Sequence, residues 1–141
     1  LVRDPVDWFL SARNHAFFRN AGSTDQLLGY WNESTEAAIQ AHAKFPTRVI
    51  VGRFESLVRD TQAAMSELCR RVGIGFSDTS LGPSFNGIPI RSNSSFRSVY
   101  GVDKSVIDRR EQRKKLDERT TKEVIQKTEK ILQRAQDCLA F

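Results

Sequence analysis

An arginine and a serine eight positions apart, Arg3 and Ser11, are the residues whose types and spacing can do chemistry together. Leu1 and Val2 read as the tail of a buried strand that Arg3 leaves. Asp4 then supplies an N-cap, Pro5 a first helical residue and Asp7 an acid in the first turn. Arg3 is thereby expected at the carboxyl end of a strand, where open α/β sheets bind ligands. Ser11 is expected roughly two turns into the helix, about 10 Å along its axis. A phosphate group fits such a pair. The guanidinium forks two donors onto an anionic oxygen, the hydroxyl adds a third, and the helix end contributes partial positive charge. The bland alternative is a capped helix with an arginine on its surface.

The 141 residues (16.0 kDa, 39% hydrophobic) are one domain's worth of chain with a modest core, which excludes a disordered protein. A net charge of +5 and a pI near 9.6 favour an anionic partner without choosing among nucleotide, acidic glycan, nucleic acid and membrane surface. Cys69 and Cys138 cannot make a disulfide framework, and Cys69 falls on an apolar helix face, so reduced thiols are expected. No secretory apolar region and no run of transmembrane length occurs, and the expected location is cytoplasmic. The sequence opens without methionine inside a strand-like stretch, the expectation being the carboxyl-terminal part of a longer protein.

In chain order, the first helix is expected from Pro5 to Phe18, with Val6, Phe9, Leu10, Ala16 and Phe17 toward a core and Arg13 and Arg19 toward solvent. His15 then falls one turn after Ser11, where it can hold a phosphate oxygen or sugar hydroxyl, or simply pack. Gly22 and Ser23 mark a break. A second helical region follows from Thr24, interrupted near Gly29 and closed before Pro46; its Tyr30 and Trp31 either pack on the sheet or line an acceptor pocket. Thr47 to Phe54 is the clearest strand, apolar on both faces in its middle, and a parallel pairing with Leu1-Val2 is the natural topology. Asp60 opens a helix with Met65, Leu68, Cys69 and Val72 as a core stripe, ending at Gly73. Residues 83–98 are too rich in glycine, proline and serine for a helix, and Asn86-Gly87 suggests a tight turn; the hydroxyls and arginines beyond it line a phosphorylated nucleotide or, as composition alone favours, make a solvated loop. From Asp103 the chain is helical and charged. Arg109, Arg110, Arg113, Lys114 and Lys115 form a basic cluster read first as a solvated face and, if functional, as one that recruits an acidic acceptor or closes the cofactor pocket. Val124, Ile125, Thr128, Ile131, Leu132, Ala135, Cys138 and Leu139 form an apolar stripe that covers the domain or seams a homodimer.

Arg3-Asp4-Pro5 with Ser11 resembles the 3′-phosphate-binding motif of sulfotransferases that use 3′-phosphoadenylyl sulfate (PAPS). Phe54-Glu55-Ser56-Leu57 is similar to the family's Y-E-D-L segment, whose tyrosine lies near the adenine. Phe54 keeps the ring and lacks the hydroxyl, and Ser56 replaces the second acid; Glu55 reads as an anchor for a neighbouring loop. Phe85-Asn86-Gly87 leading into Asn93-Ser94-Ser95-Phe96 resembles the bacterial and carbohydrate-type branch, in which a late loop closes over the cofactor. The resemblance adds Ser94, Ser95, Arg97 and Ser98 to Arg3, Ser11, His15 and Phe54 as cofactor-binding candidates, and no metal ligand.

The resemblance implies an α/β fold: a parallel sheet with flanking helices, P-loop nucleotide-kinase-like, of which this is the carboxyl-terminal portion. The chain then reads as a single partial domain, 1–141, with a nucleotide-binding core over 1–100 and charged terminal helices over 103–141. The implied reaction is transfer of a sulfuryl group from PAPS to a hydroxyl or amine, leaving adenosine 3′,5′-bisphosphate. The family's glycine-rich phosphosulfate loop and its catalytic base lie upstream of the R-D-P strand, and no G-x-x-x-x-G-K-[ST] string occurs here. The expected partners are therefore the nucleotide cosubstrate and an acceptor the sequence does not identify, with no nucleic acid, no catalytic residue named and no activity for this piece alone. The rivals are a basic nucleic-acid-binding module, which leaves the Arg3 and Ser11 spacing unexplained, and a structural α/β domain without a ligand.

Overall fold

The computed structural model describes residues 1–15, 23–91, 100–108 and 113–141. It is mixed α/β and mostly helical. Helices α1 (Pro5–Ala12), α2 (Thr24–Lys44), α3 (Phe54–Arg59), α4 (Thr61–Val72) and α5 (Glu118–Gln136) are joined by two 3-10 turns, Asp78–Leu81 and Lys104–Ile107, and by one hairpin of β1 (Ser84–Phe85) and β2 (Ile88–Pro89). The starts of the helices follow their chemistry. Asp4, Ser23, Asp60 and Asp117 each accept a backbone amide of the helix they cap. Asn86 and Gly87, both at positive φ (49° and 77°), make the tight hairpin turn that the Asn-Gly pair suggests.

The expected parallel sheet is not formed among the described residues; the sheet that exists is the antiparallel β1-β2 pair, Ser84 opposite Pro89 and Phe85 opposite Ile88. Parallel pairing survives only as isolated bridges, Val2 with Arg53 and Val51 with Leu139. Val2 donates to Gly52 (2.9 Å) and accepts from Phe54 (2.8 Å); on the other flank Ala140 donates to Val51 (2.8 Å) and Arg53 to Phe141 (3.0 Å). The strand expected from Thr47 is shortened from its front. Pro46, Thr47 and Arg48 form a turn, with Arg48 and Val49 donating back to Phe45, and the Val49 carbonyl faces His42 Nδ1 at 2.7 Å. Leu139 belongs to this extended segment rather than to the α5 stripe, because α5 ends at Gln136.

Two further boundaries differ from expectation. Helix α1 stops at Ala12 instead of reaching Phe18: the Asn14 side-chain amide donates to the Leu10 carbonyl (2.9 Å) and satisfies a group that the next turn would otherwise take. Ala16, Phe17, Phe18, Arg19 and Gly22 lie outside the described residues. Helix α2 runs through Gly29 without a break, because Leu27, Leu28 and Trp31 are all buried around it and offset the roughly 1 kcal/mol that one helical glycine costs.

The core is built where α1, α2 and α5 meet. One cluster joins Val6, Phe9, Leu10, Leu27, Leu28, Leu116 and Val124; the other joins Val2, Trp31, Ile39, Val51 and Ala135, with Trp8 packed against both. Trp31 packs as expected, while Tyr30 is 43% exposed. On α4 Cys69 is buried but Val72 is exposed, so the stripe's last residue leaves the core; on α5 Ile125 does the same. Cys69 and Cys138 are free thiols. Among the described residues no helix is long and apolar enough to cross a membrane.

Candidate 3′-phosphate seat

The strand-to-helix turn at residues 2–7 is fixed from four directions before any side chain faces a ligand. Val2 is paired with Gly52 and Phe54, and the Trp31 indole N–H donates to the Arg3 carbonyl at 3.1 Å. The Glu55 carboxylate accepts the Asp4 amide at 3.0 Å, making Glu55 the loop anchor its sequence position suggests. Asp4 Oδ1 in turn accepts the amides of Val6 and Asp7, both at 3.0 Å.

On this frame the Arg3 guanidinium leaves the strand end and meets Ser11. Nη1 donates to Ser11 Oγ at 3.3 Å, and the guanidinium carbon lies 4.7 Å from the centre of the Phe54 ring, within cation-π range. Arg3 and Ser11 are both half-buried, so the pair is neither a loose surface contact nor sealed from solvent. Nη2 donates to the Val106 carbonyl, also at 3.3 Å, which brings the 3-10 turn Lys104–Ile107 against the same guanidinium. Nothing in the local sequence announces that contact, which spans 103 positions.

Three of the candidate residues are thus brought together: Arg3, Ser11 and Phe54. His15 sits in the bend beyond α1, its amide donating to Ala12 (2.9 Å), and the helical register that would stack it over Ser11 is not continued. Ser94, Ser95, Arg97 and Ser98 lie outside the described residues, as do Arg109 and Arg110. The helix end contributes less than expected, because the first-turn amides of α1 already bind Asp4. Arg3 supplies positive charge for an anion at this place.

Sequence reasoning missed Arg113. Read as part of a solvated basic face, it instead reaches α1: its Nε contacts Asp7 Oδ1 at 2.7 Å and its Nη2 contacts Asp4 Oδ1 at 3.0 Å. The Asp7 hydrogen bond, reinforced by the Asp4 charge, raises the Arg113 pKa above its ordinary value. The one available signal was the buried-side register of Asp7, an acid on the apolar face of α1 that requires a cation from elsewhere. Among the described residues no group of three or more His, Cys, Asp or Glu side chains is placed to hold a metal ion.

The family profile described as the sulfotransferase family matches residues 1–78, a stretch that contains the Arg3, Ser11 and Phe54 cluster. The chain belongs to the sulfotransferase family. Comparison with curated proteins and with solved structures returned no match. The sulfotransferase match ends at residue 78, so the hairpin, the Lys104–Ile107 turn and α5 lie beyond it, although Val106 and Arg113 both contact the matched part.

Proposed function

We propose that this sulfotransferase takes PAPS as donor, that Arg3 and Ser11 bind its 3′-phosphate, and that Phe54 packs near the adenine. The observation that carries the reading is the contact of Arg3 Nη1 with Ser11 Oγ at 3.3 Å, made by a guanidinium whose carbon lies 4.7 Å from the centre of the Phe54 ring. The residues fit the group. A guanidinium and a hydroxyl on rigid elements present the donors that a phosphate dianion accepts, at the end of an extended segment feeding a helix. Phe54 supplies a flat apolar face for the base.

PAPS supplies the sulfuryl group, which passes to a hydroxyl or amine. This chain's residues bind and orient: Arg3 and Ser11 fix the nucleotide's register, while Trp31 and Glu55 hold the backbone on either side of Arg3. Charge stabilisation at the leaving oxygen and the base for the acceptor proton are assigned to none of these residues. The reading takes the parallel bridges of Val2 with Arg53 and of Val51 with Leu139 as part of a P-loop-like parallel sheet.

The test is transfer of labelled sulfate from PAPS by the full-length protein to a panel of glycan, phenolic and amine acceptors. Arg3→Ala is expected to raise the KM for PAPS by about 10- to 100-fold, the loss of a charged hydrogen-bond partner. A KM unchanged by Arg3→Ala contradicts the seat. Absence of transfer to every acceptor, together with no binding of PAPS, contradicts the function.

A further inference from the structure

Two carboxylates stand where a phosphate is least served by them. Asp4 follows Arg3 directly and is required to start α1, since its Oδ1 holds the Val6 and Asp7 amides. Asp7 precedes Ser11 by four residues, which puts both on one face of α1 with their Cβ atoms about 5–6 Å apart. Its side chain is only 6% exposed, so solvent screens its charge poorly. Left alone, the pair would repel a dianionic phosphate and compete with it for the Arg3 guanidinium. Arg113 reaches both acids at once, with Nε at 2.7 Å from Asp7 Oδ1 and Nη2 at 3.0 Å from Asp4 Oδ1.

We infer that Arg113 is a positioning and specificity residue of the anion seat: by cancelling the charges of Asp4 and Asp7 it directs Arg3 and Ser11 to the nucleotide's 3′-phosphate. The inference rests on the PAPS reading above and extends it to the far end of the chain. A helix cap and an anion site share the short helix α1, and their charges oppose each other. Arg113 removes the opposition without removing the cap. A bare fold staple predicts something different: its loss weakens the protein and every ligand alike.

The experiment is calorimetric titration of the full-length protein with adenosine 3′,5′-bisphosphate and with adenosine 5′-monophosphate, for the wild type, Arg113→Ala, Arg113→Lys and the double variant Arg113→Ala/Asp7→Asn, each also melted thermally. Arg113→Ala is expected to weaken the bisphosphate about tenfold and the monophosphate less than about threefold, because only the 3′-phosphate lies beside the acids left without their cation. Arg113→Lys keeps a cation and most of the preference. The double variant removes the buried charge and is expected to recover both the melting temperature and the preference. If Arg113→Ala does not fold, the lysine and double variants carry the same test. The inference is overturned if Arg113→Ala keeps the wild-type preference, if both ligands weaken equally, or if the double variant regains its melting temperature but not its preference. A wild type that does not distinguish the two nucleotides overturns the PAPS seat itself, which separates that failure from the failure of Arg113's role.

Discussion

The Arg3 guanidinium donates to Ser11 Oγ and to the Val106 carbonyl at 3.3 Å in each case, longer than the ~2.7–2.9 Å of a charge-assisted bond. A phosphate that offers shorter bonds exchanges with such partners at little cost. The Arg3 backbone is held differently, by the Trp31 indole on its carbonyl and by the Val2 pairing on the residue before it, so the side chain can change partners without the turn moving. Ser11 is expected to matter through its hydroxyl alone. Ser11→Ala should weaken adenosine 3′,5′-bisphosphate binding by about 1.5 kcal/mol, roughly tenfold, with no change in melting temperature beyond about 1 °C, because Ala is well tolerated in a helix. Equal affinity for the bisphosphate in Ser11→Ala and wild type would remove Ser11 from the seat.

Among the elements, the segment Val51–Arg53 is paired on both flanks, and Gly52 in its middle has no room for a side chain. A Cβ there would stand 2.3 Å from the Phe141 ring. Gly52→Ala is therefore expected to cost about 1–3 kcal/mol of stability by overpacking, and Phe141→Leu in the same chain to restore part of it, both read from denaturant midpoints. An unchanged midpoint in Gly52→Ala would mean that the terminal segment is not seated beside it. What was legible at this scale was chemistry that acts over a few residues. Asp4-Pro5 started α1, Asn86-Gly87 turned the hairpin, and Gly73 at φ 74° closed α4. What was not legible depended on partners far along the chain. Periodicity carried α1 past Ala12 because an Asn14 amide capping Leu10 looks, in sequence, like any polar helical residue. Gly29 read as a break because the burial of its neighbours cannot be seen locally. Leu139 continued an apolar stripe at helical spacing, yet its backbone found Val51 instead.

Across the whole molecule, the first and last thirds of the chain are closed onto each other around the candidate seat. Helix α5 buries Val124 and Ala135 against α1 and α2, Leu139 bridges Val51, Val106 meets Arg3, and Arg113 holds both acids of α1. This is the physical reason that the short motif at the N-terminal end could be read while its surroundings could not. The Arg3 and Ser11 spacing is a local property of one turn and one helix, whereas Val106 and Arg113 arrive through tertiary packing. Arg113 neutralises Asp4 and Asp7, and Arg134 pairs with Glu36 at 2.6 Å, so the net excess of +5 is carried by other basic residues. The central claim is that Arg3 and Ser11 form a seat for the 3′-phosphate of a nucleotide. Its most direct measurement is the ratio of affinities of the full-length protein for adenosine 3′,5′-bisphosphate and adenosine 5′-monophosphate, in wild type and Arg3→Ala. The account predicts a wild-type ratio of at least about tenfold in favour of the bisphosphate, collapsing to near unity in Arg3→Ala. Equal affinities in the wild type, or a preference that survives the loss of Arg3, would contradict it.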